Sequence, residues 1–349
     1  MSTGSSGTPI IIWSVLLDLE MKVGITYDLR DDYLKEGYSY EETAEFDRVD
    51  TIEGIEKALT ALGHTTDRIG NVKQLVTRLA AGDRWDLVFN IAEGMYGIGR
   101  EAVVPALLDA YRIPYTFSDP LILALTLHKG MTKAILRDAG IRTPDFVVVD
   151  SIAEVSTVTL PFPLFAKPVA EGTGKGINDA SKVNSASELH AVCERLLDEF
   201  HQPVLVETFL PGREFTVGII GTSDEAEAIG VMEVLFKKKH IGERIYSLHN
   251  KSHYEEIIEY RIPEDKVIEA CSTLALASWK ALGCRDGGRV DLRMDNTNQP
   301  SFIEVNPLAG LNPVHSDLPI LCKLLGIPFK ELIKRILKST MKRIGHTLS

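Results

Sequence analysis

The sequence predicts an α/β fold that becomes α+β in its C-terminal part, and three observations predict it. Short apolar runs alternate with amphipathic stretches through the first third, the pattern of βαβ units and a parallel sheet. A glycine-dense loop, Glu171-Gly172-Thr173-Gly174-Lys175-Gly176, stands between an apolar run and an amphipathic stretch. Near the C-terminus, Arg289-Val290-Asp291 and Phe302-Ile303-Glu304-Val305-Asn306 alternate with the two-residue period of a strand.

The N-terminal unit, residues 21–120, is justified element by element. Strands are expected at Lys22–Thr26, 65–69 and 86–91, and helices over 50–62, 72–81 and 102–110. Ligands of such sheets lie at the carboxyl ends of the strands, which points to Asn90-Ile91-Ala92-Glu93-Gly94. Residues 30–48 gather seven acids around Tyr33, Tyr38 and Tyr40 and read as a solvated loop. A role in covering substrate is the weaker expectation for a loop of that length. Residues 1–20 are Ser/Thr/Gly-rich at their start and read as an arm.

The second unit, residues 121–209, begins with a helix over 127–139 that stops at Gly140. Strands follow at Phe146–Val149, 164–167 and 204–207, with a helix over 187–200. The third unit, residues 210–349, opens with antiparallel strands over 213–220 and 228–235. It continues with a helix over 265–282, the two charged strands, and a closing helix over 329–341.

Composition narrows the function. The chain has 349 residues, 44% hydrophobic and 25% charged, the balance of a globular enzyme of two or three domains. A net charge of -11 argues against a nucleic-acid partner, whose phosphates would call for a basic surface. The basic run Lys237-Lys238-Lys239 reads as a hairpin turn or a phosphate-facing loop. The longest apolar run, residues 10–17, is too short to span a bilayer, and no Lys or Arg precedes it as in a signal peptide. A cytoplasmic protein with no membrane partner is expected. Cys193, Cys271, Cys284 and Cys322 show no CxxC spacing and are expected in the core.

The motifs carry the chemistry. Glycines at 172, 174 and 176 let backbone N–H groups approach phosphate oxygens, with the Thr173 hydroxyl and the Lys175 charge beside them. The loop lacks the Walker A spacing. Lys167, at the end of an apolar strand, needs an anionic partner that a nucleotide phosphate would supply. Lys129 is read the same way. Glu207 and Glu214 bracket a turn through Phe209 and Leu210 that suits an adenine edge and ribose hydroxyls, although surface acids beside a turn give the same pattern. Asp291, Glu304 and Asn306 are hard oxygen donors suited to Mg²⁺, or else a structural ion-pair cluster with Arg289. Gly310 permits a backbone N–H to face an oxyanion, and His315 or Ser316 is placed to meet a substrate carboxylate.

Together these segments resemble the ATP-grasp superfamily and, within it, the D-alanine–D-alanine ligases, from Met21 almost to the end. The resemblance rests on Pro114-Tyr115-Thr116, Lys129, Lys167-Pro168, Glu171-Gly172, Glu207 through Val217, Gly283-Cys284, Arg289-Val290-Asp291 and Glu304-Val305-Asn306 with Gly310. It implies an N-terminal Rossmann-like domain and two α+β domains that clamp ATP. It also implies phosphate-binding Lys129 and Lys167, Lys251 in a loop over the nucleotide, and adenosine contacts at Glu207, Leu210 and Glu214. Asp291, Glu304 and Asn306 would hold two Mg²⁺ ions, or Mn²⁺ in their place, and Arg289 with the Gly310 N–H would stabilise a tetrahedral intermediate. The implied activity joins two small molecules, amino acids or a short peptide, through an acyl phosphate, and the implied assembly is a homodimer. The chain departs from the family at Thr173 for serine, Ser252 for an aromatic, and Glu93-Gly94 for His-Gly. Glu45 is the candidate for the glutamate that holds the first ammonium. A ligase for a different acid and amine is the alternative, and a nucleotide-binding protein without turnover the weakest reading.

Overall fold

The computed structural model describes residues 20–236, 258–264 and 266–347. The arm up to residue 19, Lys237-Lys238-Lys239, Lys251 and Ser252 lie outside the described residues.

Strand β1 (Lys22–Thr26) is buried at four of five positions and β3 (Leu87–Asn90) at all four. Strands so apolar need cover on both faces, which crossover helices provide to a parallel sheet. β1 accordingly lies between β2 (Thr65–Gly70) and β3, parallel to both. Helices α1 (Arg30–Lys35) and α2 (Val49–Ala61) follow β1, α3 (Val72–Ala80) follows β2, and α4 (Val103–Ala110) follows β3. Asn71 starts α3 by accepting from the Lys73 and Gln74 N–H groups, and Gln74 reaches back to close a capping box.

The segment over residues 30–48, expected as a solvated loop, is folded. Five of its seven acids face outward, but Glu45 and Asp47 turn inward and Tyr33, Ala44 and Phe46 are buried, with the Tyr33 and Phe46 rings 4.5 Å apart. The Arg30 guanidinium donates to the carbonyls of Thr43, Ala44 and Phe46 at 2.8–3.0 Å. One cation thus satisfies backbone acceptors that no helix or sheet takes up.

The helix expected over 127–139 is α6 (Lys129–Asp138), and a helix that was not expected, α5 (Pro120–Leu127), runs directly into it. Asp119 caps α5 and Pro120 occupies its first turn. His128 leaves the helical conformation at ψ 90, and its ring accepts from the Met131 N–H, so one residue ends α5 and caps α6. Strands β4 (Phe146–Val149), β5 (Leu164–Pro168), β6 (Lys182–Val183) and β7 (Val204–Thr208) form an antiparallel sheet in the order β4-β7-β5-β6. Helix α7 (Ala186–Phe200) packs Leu189, Val192, Cys193 and Leu196 into its core.

The third sheet has the order β10-β9-β8-β11-β12 and is antiparallel throughout. Its strands are β8 (Glu214–Ile220), β9 (Glu227–Phe236), β10 (Ile258–Arg261), β11 (Gly287–Met294) and β12 (Pro300–Asn306). Helix α8 (Val267–Leu282) covers one face and ends on Gly283 in the left-handed region at φ 73. Its Trp279 is fully buried over Gly288, where a Cβ would come within 2.8 Å of the ring. Helices α9 (Asp317–Leu324) and α10 (Phe329–Thr347) leave this sheet. Leu332, Ile333, Ile336 and Leu337 of α10 join the core of the first sheet with Val23, Ile25 and Phe89. The four cysteines are buried and unbridged, as expected of core residues. Among the described residues no helix is long and apolar enough to cross a membrane.

Candidate active site

Two adjoining cavities lie where the three sheets meet. The larger, about 450 Å³, is walled by Arg30, Tyr40, residues 44–48, Glu93, Glu101, residues 305–308, Gly310, His315 and Ser316. The smaller, about 110 Å³, is a slot of Phe165, Ile177, Phe209, Leu210 and Leu292 with Lys167 and Glu214 on its walls. Lys129, Thr173, Arg289 and Glu304 line both, so they mark the junction.

The junction is built by the register of β11 on β12. Arg289 lies opposite Asn306, and Asp291 opposite Glu304. On β8, the Thr216 hydroxyl donates to Asp291 at 2.9 Å, and the Asn306 amide approaches the same carboxylate at 3.4 Å. Arg289 ion-pairs with Asp291 and lies 3.6 Å from Asp317. Burial, reinforced by the Glu304 and Asp317 charges, pushes Asp291 up to about 6 even with Arg289 beside it. Glu304 is also buried, but Lys129, Lys167 and Arg289 outweigh the loss of water and hold it down at about 2. Crowded, recessed carboxylates with an amide oxygen alongside make a hard donor set whose mutual repulsion a divalent cation would relieve. Asp291, Glu304 and Asn306 therefore fit the ion set expected of them.

Lys167 and Lys129 arrive from different elements. Lys167, on β5, ion-pairs with Glu207 of β7 at 3.1 Å, and Glu207 also takes Lys133 of α6 at 2.8 Å. Burial alone would lower Lys167, but Glu207 and Glu304 overcome it and raise its pKa. Burial does prevail at Lys133, which falls to about 8. The Glu207 carboxylate is thus held between two lysines, and Lys133 was not anticipated. Lys129 opens α6, where its ammonium donates to the Glu171 carbonyl at 2.6 Å and stands 3.6 Å from Glu304. Glu214 pairs with Arg293 at 3.1 Å, and that guanidinium lies over the Phe209 ring.

The glycine loop bends through left-handed residues Thr173, Gly174 and Gly176. Gly172 and Thr173 face the larger cavity and Thr173 and Gly174 the slot, whereas Lys175 and Gly176 line neither. Lys175 is ion-paired with Glu171 at 2.5 Å, so its charge is committed within the loop. Glu45 reaches the loop from the folded 30–48 segment. It accepts from the Gly172 N–H and from Arg100 at 2.7 Å, so its carboxylate is engaged by protein. A Cβ at Gly172 would stand 2.6 Å from the Glu45 carboxylate oxygen, so a larger residue there would push that side chain aside.

Gly310, His315 and Ser316 all line the larger cavity, as does Glu93. The Ser316 hydroxyl accepts from the Asn312 N–H at 3.0 Å, and Asn312 caps the His315 N–H. Burial, with Glu101, Glu45 and Asp47 close by, pushes Glu93 well above the usual carboxylate range. Burial also pushes Glu101 up to about 7. Sequence reasoning missed Arg100, Glu101, Lys133 and Asp317. Lys133 was detectable as the residue four places after Lys129, one helical turn along the same face; the others followed no period.

Comparison with known proteins agrees with this geometry. Residues 135–338, more than half of the chain, match the model of the D-ala D-ala ligase C-terminus. The D-alanine–D-alanine ligase of Bordetella petrii is 31% identical over 83% of this chain and 86% of its own length. The D-alanine–D-alanine ligase of Aquifex aeolicus is 34% identical over 82% of this chain and 93% of its own. The fold matches the crystal structure of D-alanine–D-alanine ligase from Bacillus anthracis complexed with ATP, with a TM-score of 0.71 at 21% identity over 94% of this chain and 99% of that one. A family model over most of the C-terminal half, relatives at this identity and a shared fold place the chain in the D-alanine–D-alanine ligase family.

Proposed function

We propose that this protein is an ATP-dependent carboxylate–amine ligase that joins two amino acids through an acyl phosphate. The observation that carries the reading is the shared wall of the two cavities. Lys129, Thr173, Arg289 and Glu304 border both, so a phosphate donor in the slot and an acid in the larger cavity would meet there. The slot suits ATP: Phe165, Ile177, Leu210 and Leu292 offer an apolar bed for a purine, Glu214 an acceptor for ribose, and Lys167 and Lys129 charges for phosphates. Asp291, Glu304 and Asn306 would hold Mg²⁺ or Mn²⁺, which neutralises charge on the phosphate oxygens when bound.

In this reading an oxygen of the acid's carboxylate attacks the γ-phosphorus, the bond to the β–γ bridging oxygen breaks, and ADP leaves. The amine nitrogen then attacks the acyl carbon, the bond from carbon to the phosphate oxygen breaks, and phosphate departs as the amide forms with loss of a proton. Phosphoryl transfer relies on positioning and neutralisation, which two lysines and Arg289 are placed to provide. Arg289 and the Gly310 N–H are the groups assigned to the tetrahedral oxyanion. Lys251 and Ser252 keep their proposed roles over the nucleotide and substrate, and a homodimer is the proposed assembly.

The test is phosphate release from ATP with Mg²⁺ in the presence of D-alanine and a panel of other amino acids and dipeptides, with products weighed by mass spectrometry. Amide, ADP and phosphate in equal amounts support the ligase. AMP with pyrophosphate, or ATP consumption without an amide, contradicts it.

A further inference from the structure

Arg289, the side chain assigned to the tetrahedral oxyanion, has two carboxylates against one nitrogen of its guanidinium. Its Nη1 ion-pairs with Asp291 Oδ2 and lies 3.6 Å from Asp317 Oδ2. The two acids come from different parts of the fold. Asp291 stands two residues further along β11 and faces Glu304 across the sheet, within the proposed ion set. Asp317 is the first residue of α9, is 5% exposed and lines the slot.

The contact with Asp291 is one that an ion would disturb. Asp291 already takes the Thr216 hydroxyl on one oxygen, and the Asn306 amide approaches the other, the same Oδ2 that pairs with Arg289. A divalent cation on these donors would draw on that oxygen and repel the guanidinium. An arginine that keeps its place through the reaction therefore needs a carboxylate outside the ion set. Asp317 is such a group, and the fold fixes it from two sides. The Tyr260 hydroxyl of β10 donates to Oδ1 at 3.1 Å, while Oδ2 is the oxygen nearer Arg289. Helix α9 is pressed onto β8 so closely that a Cβ at Gly218 would stand 2.8 Å from Leu321 and 3.0 Å from Leu318. The first turn of a helix also favours an anion.

We infer that Asp317 is a positioning residue for the ligase reaction, holding the Arg289 guanidinium at the shared wall of the two cavities, with Tyr260 orienting Asp317 in turn. This rests on the ligase reading and adds to its machinery. The competing role for Asp317 is a purely structural tie between β10 and α9, and a double-mutant cycle with Arg289 separates the two.

The experiment measures kcat and KM for ATP, with the amide counted by mass spectrometry, on the substrate pair that the wild type uses best. The variants are Asp317→Asn, Tyr260→Phe, Arg289→Gln and the two doubles that carry Arg289→Gln, each checked for folding by circular dichroism. The inference predicts that Asp317→Asn lowers kcat about tenfold or more without raising KM for ATP, and that Tyr260→Phe lowers it about threefold or more. Each loss shrinks to less than about twofold once Arg289 is glutamine, because the group being positioned is gone. The thermal shift by ATP without Mg²⁺ persists in Asp317→Asn, which reads an intact slot apart from turnover. A kcat for Asp317→Asn near that of the wild type overturns the inference, as does a loss of equal size with and without Arg289; both leave the ligase standing. Where Asp317→Asn fails to fold, Tyr260→Phe decides by the same comparison. A wild type that forms no amide from any pair overturns the ligase reading and this inference with it.

Discussion

At Asp291 and Glu304, opposite each other across β11 and β12, two changes test the ion site. Asp291→Asn and Glu304→Gln should each lower ATP turnover at least a hundredfold while leaving the far-ultraviolet circular dichroism unchanged, because each removes an anionic oxygen donor without changing shape. Turnover at the wild-type level in both would remove the ion site from the mechanism. Lys133 invites a different test. It is fully buried against Glu207, and Lys133→Met leaves that carboxylate with Lys167 alone. Loss of one partner from a buried ion cluster costs about 3 kcal/mol, read as a lower urea midpoint. Asp47 gives a pH dependence. Burial, with Asp28 and Asp50 adding to it, pushes its carboxyl up to about 7 despite Thr51 and Arg30. Between about pH 4, the ordinary value, and pH 7 the folded chain holds a proton that the unfolded chain has released. Stability therefore falls as pH rises through that window, and Asp47→Asn should flatten the fall. The main donors were legible because Asp291, Glu304 and Asn306 alternate with apolar residues along strands. Arg100 and Glu101 were not, since they follow Gly94, Gly97 and Gly99 with no period to place them.

Among the elements, the widest gap between sequence and structure is the 30–48 segment. Seven acids and three tyrosines hid an inner face of Tyr33, Ala44 and Phe46, because the face recurs at neither a helical nor a strand period and is closed by one arginine on three carbonyls. Its end, Glu45, bridges the segment to Arg100 and to the glycine loop. Glu45→Gln keeps the shape and weakens the charge-assisted bonds, so amide exchange over residues 36–46 and in the glycine loop should accelerate at least tenfold by mass spectrometry. Unchanged exchange would mean that the segment is held by its own contacts. The helix α5 ahead of the expected 127–139 helix, and the break at His128 between the two, were equally hidden, for a histidine is an ordinary helix resident until its ring turns to cap the next turn. Conversely, β1 and β3 were readable as buried strands, since continuous apolar runs of four or five residues admit little else.

On the scale of the molecule, the class of fold was legible, but strand orders such as β4-β7-β5-β6 depend on pairings far apart in sequence that no local period encodes. The return of α10 to the first sheet is of the same kind, and Asp286 secures it. This buried carboxylate accepts from the Phe117 N–H at 2.8 Å, from Thr340 at 2.8 Å and from Arg343 at 2.8 Å, and it contacts Thr222 and Ser339. Asp286→Ala leaves these donors unmet and should cost on the order of 3 kcal/mol, seen in denaturant unfolding. A loss below about 1 kcal/mol, the scale of a surface pair, would show that the apolar contacts of α10 suffice. The arrangement as a whole brings two cavities to one shared wall, and the central claim of the proposed function is that a carboxylate oxygen in the larger one attacks phosphorus of a nucleotide in the smaller. The most direct measurement is to supply the acid substrate with both carboxylate oxygens labelled as oxygen-18 and to weigh the released phosphate. One labelled oxygen per phosphate, with the other retained in the amide, is the predicted result. Phosphate free of label, alongside an amide that forms, would contradict transfer through an acyl phosphate.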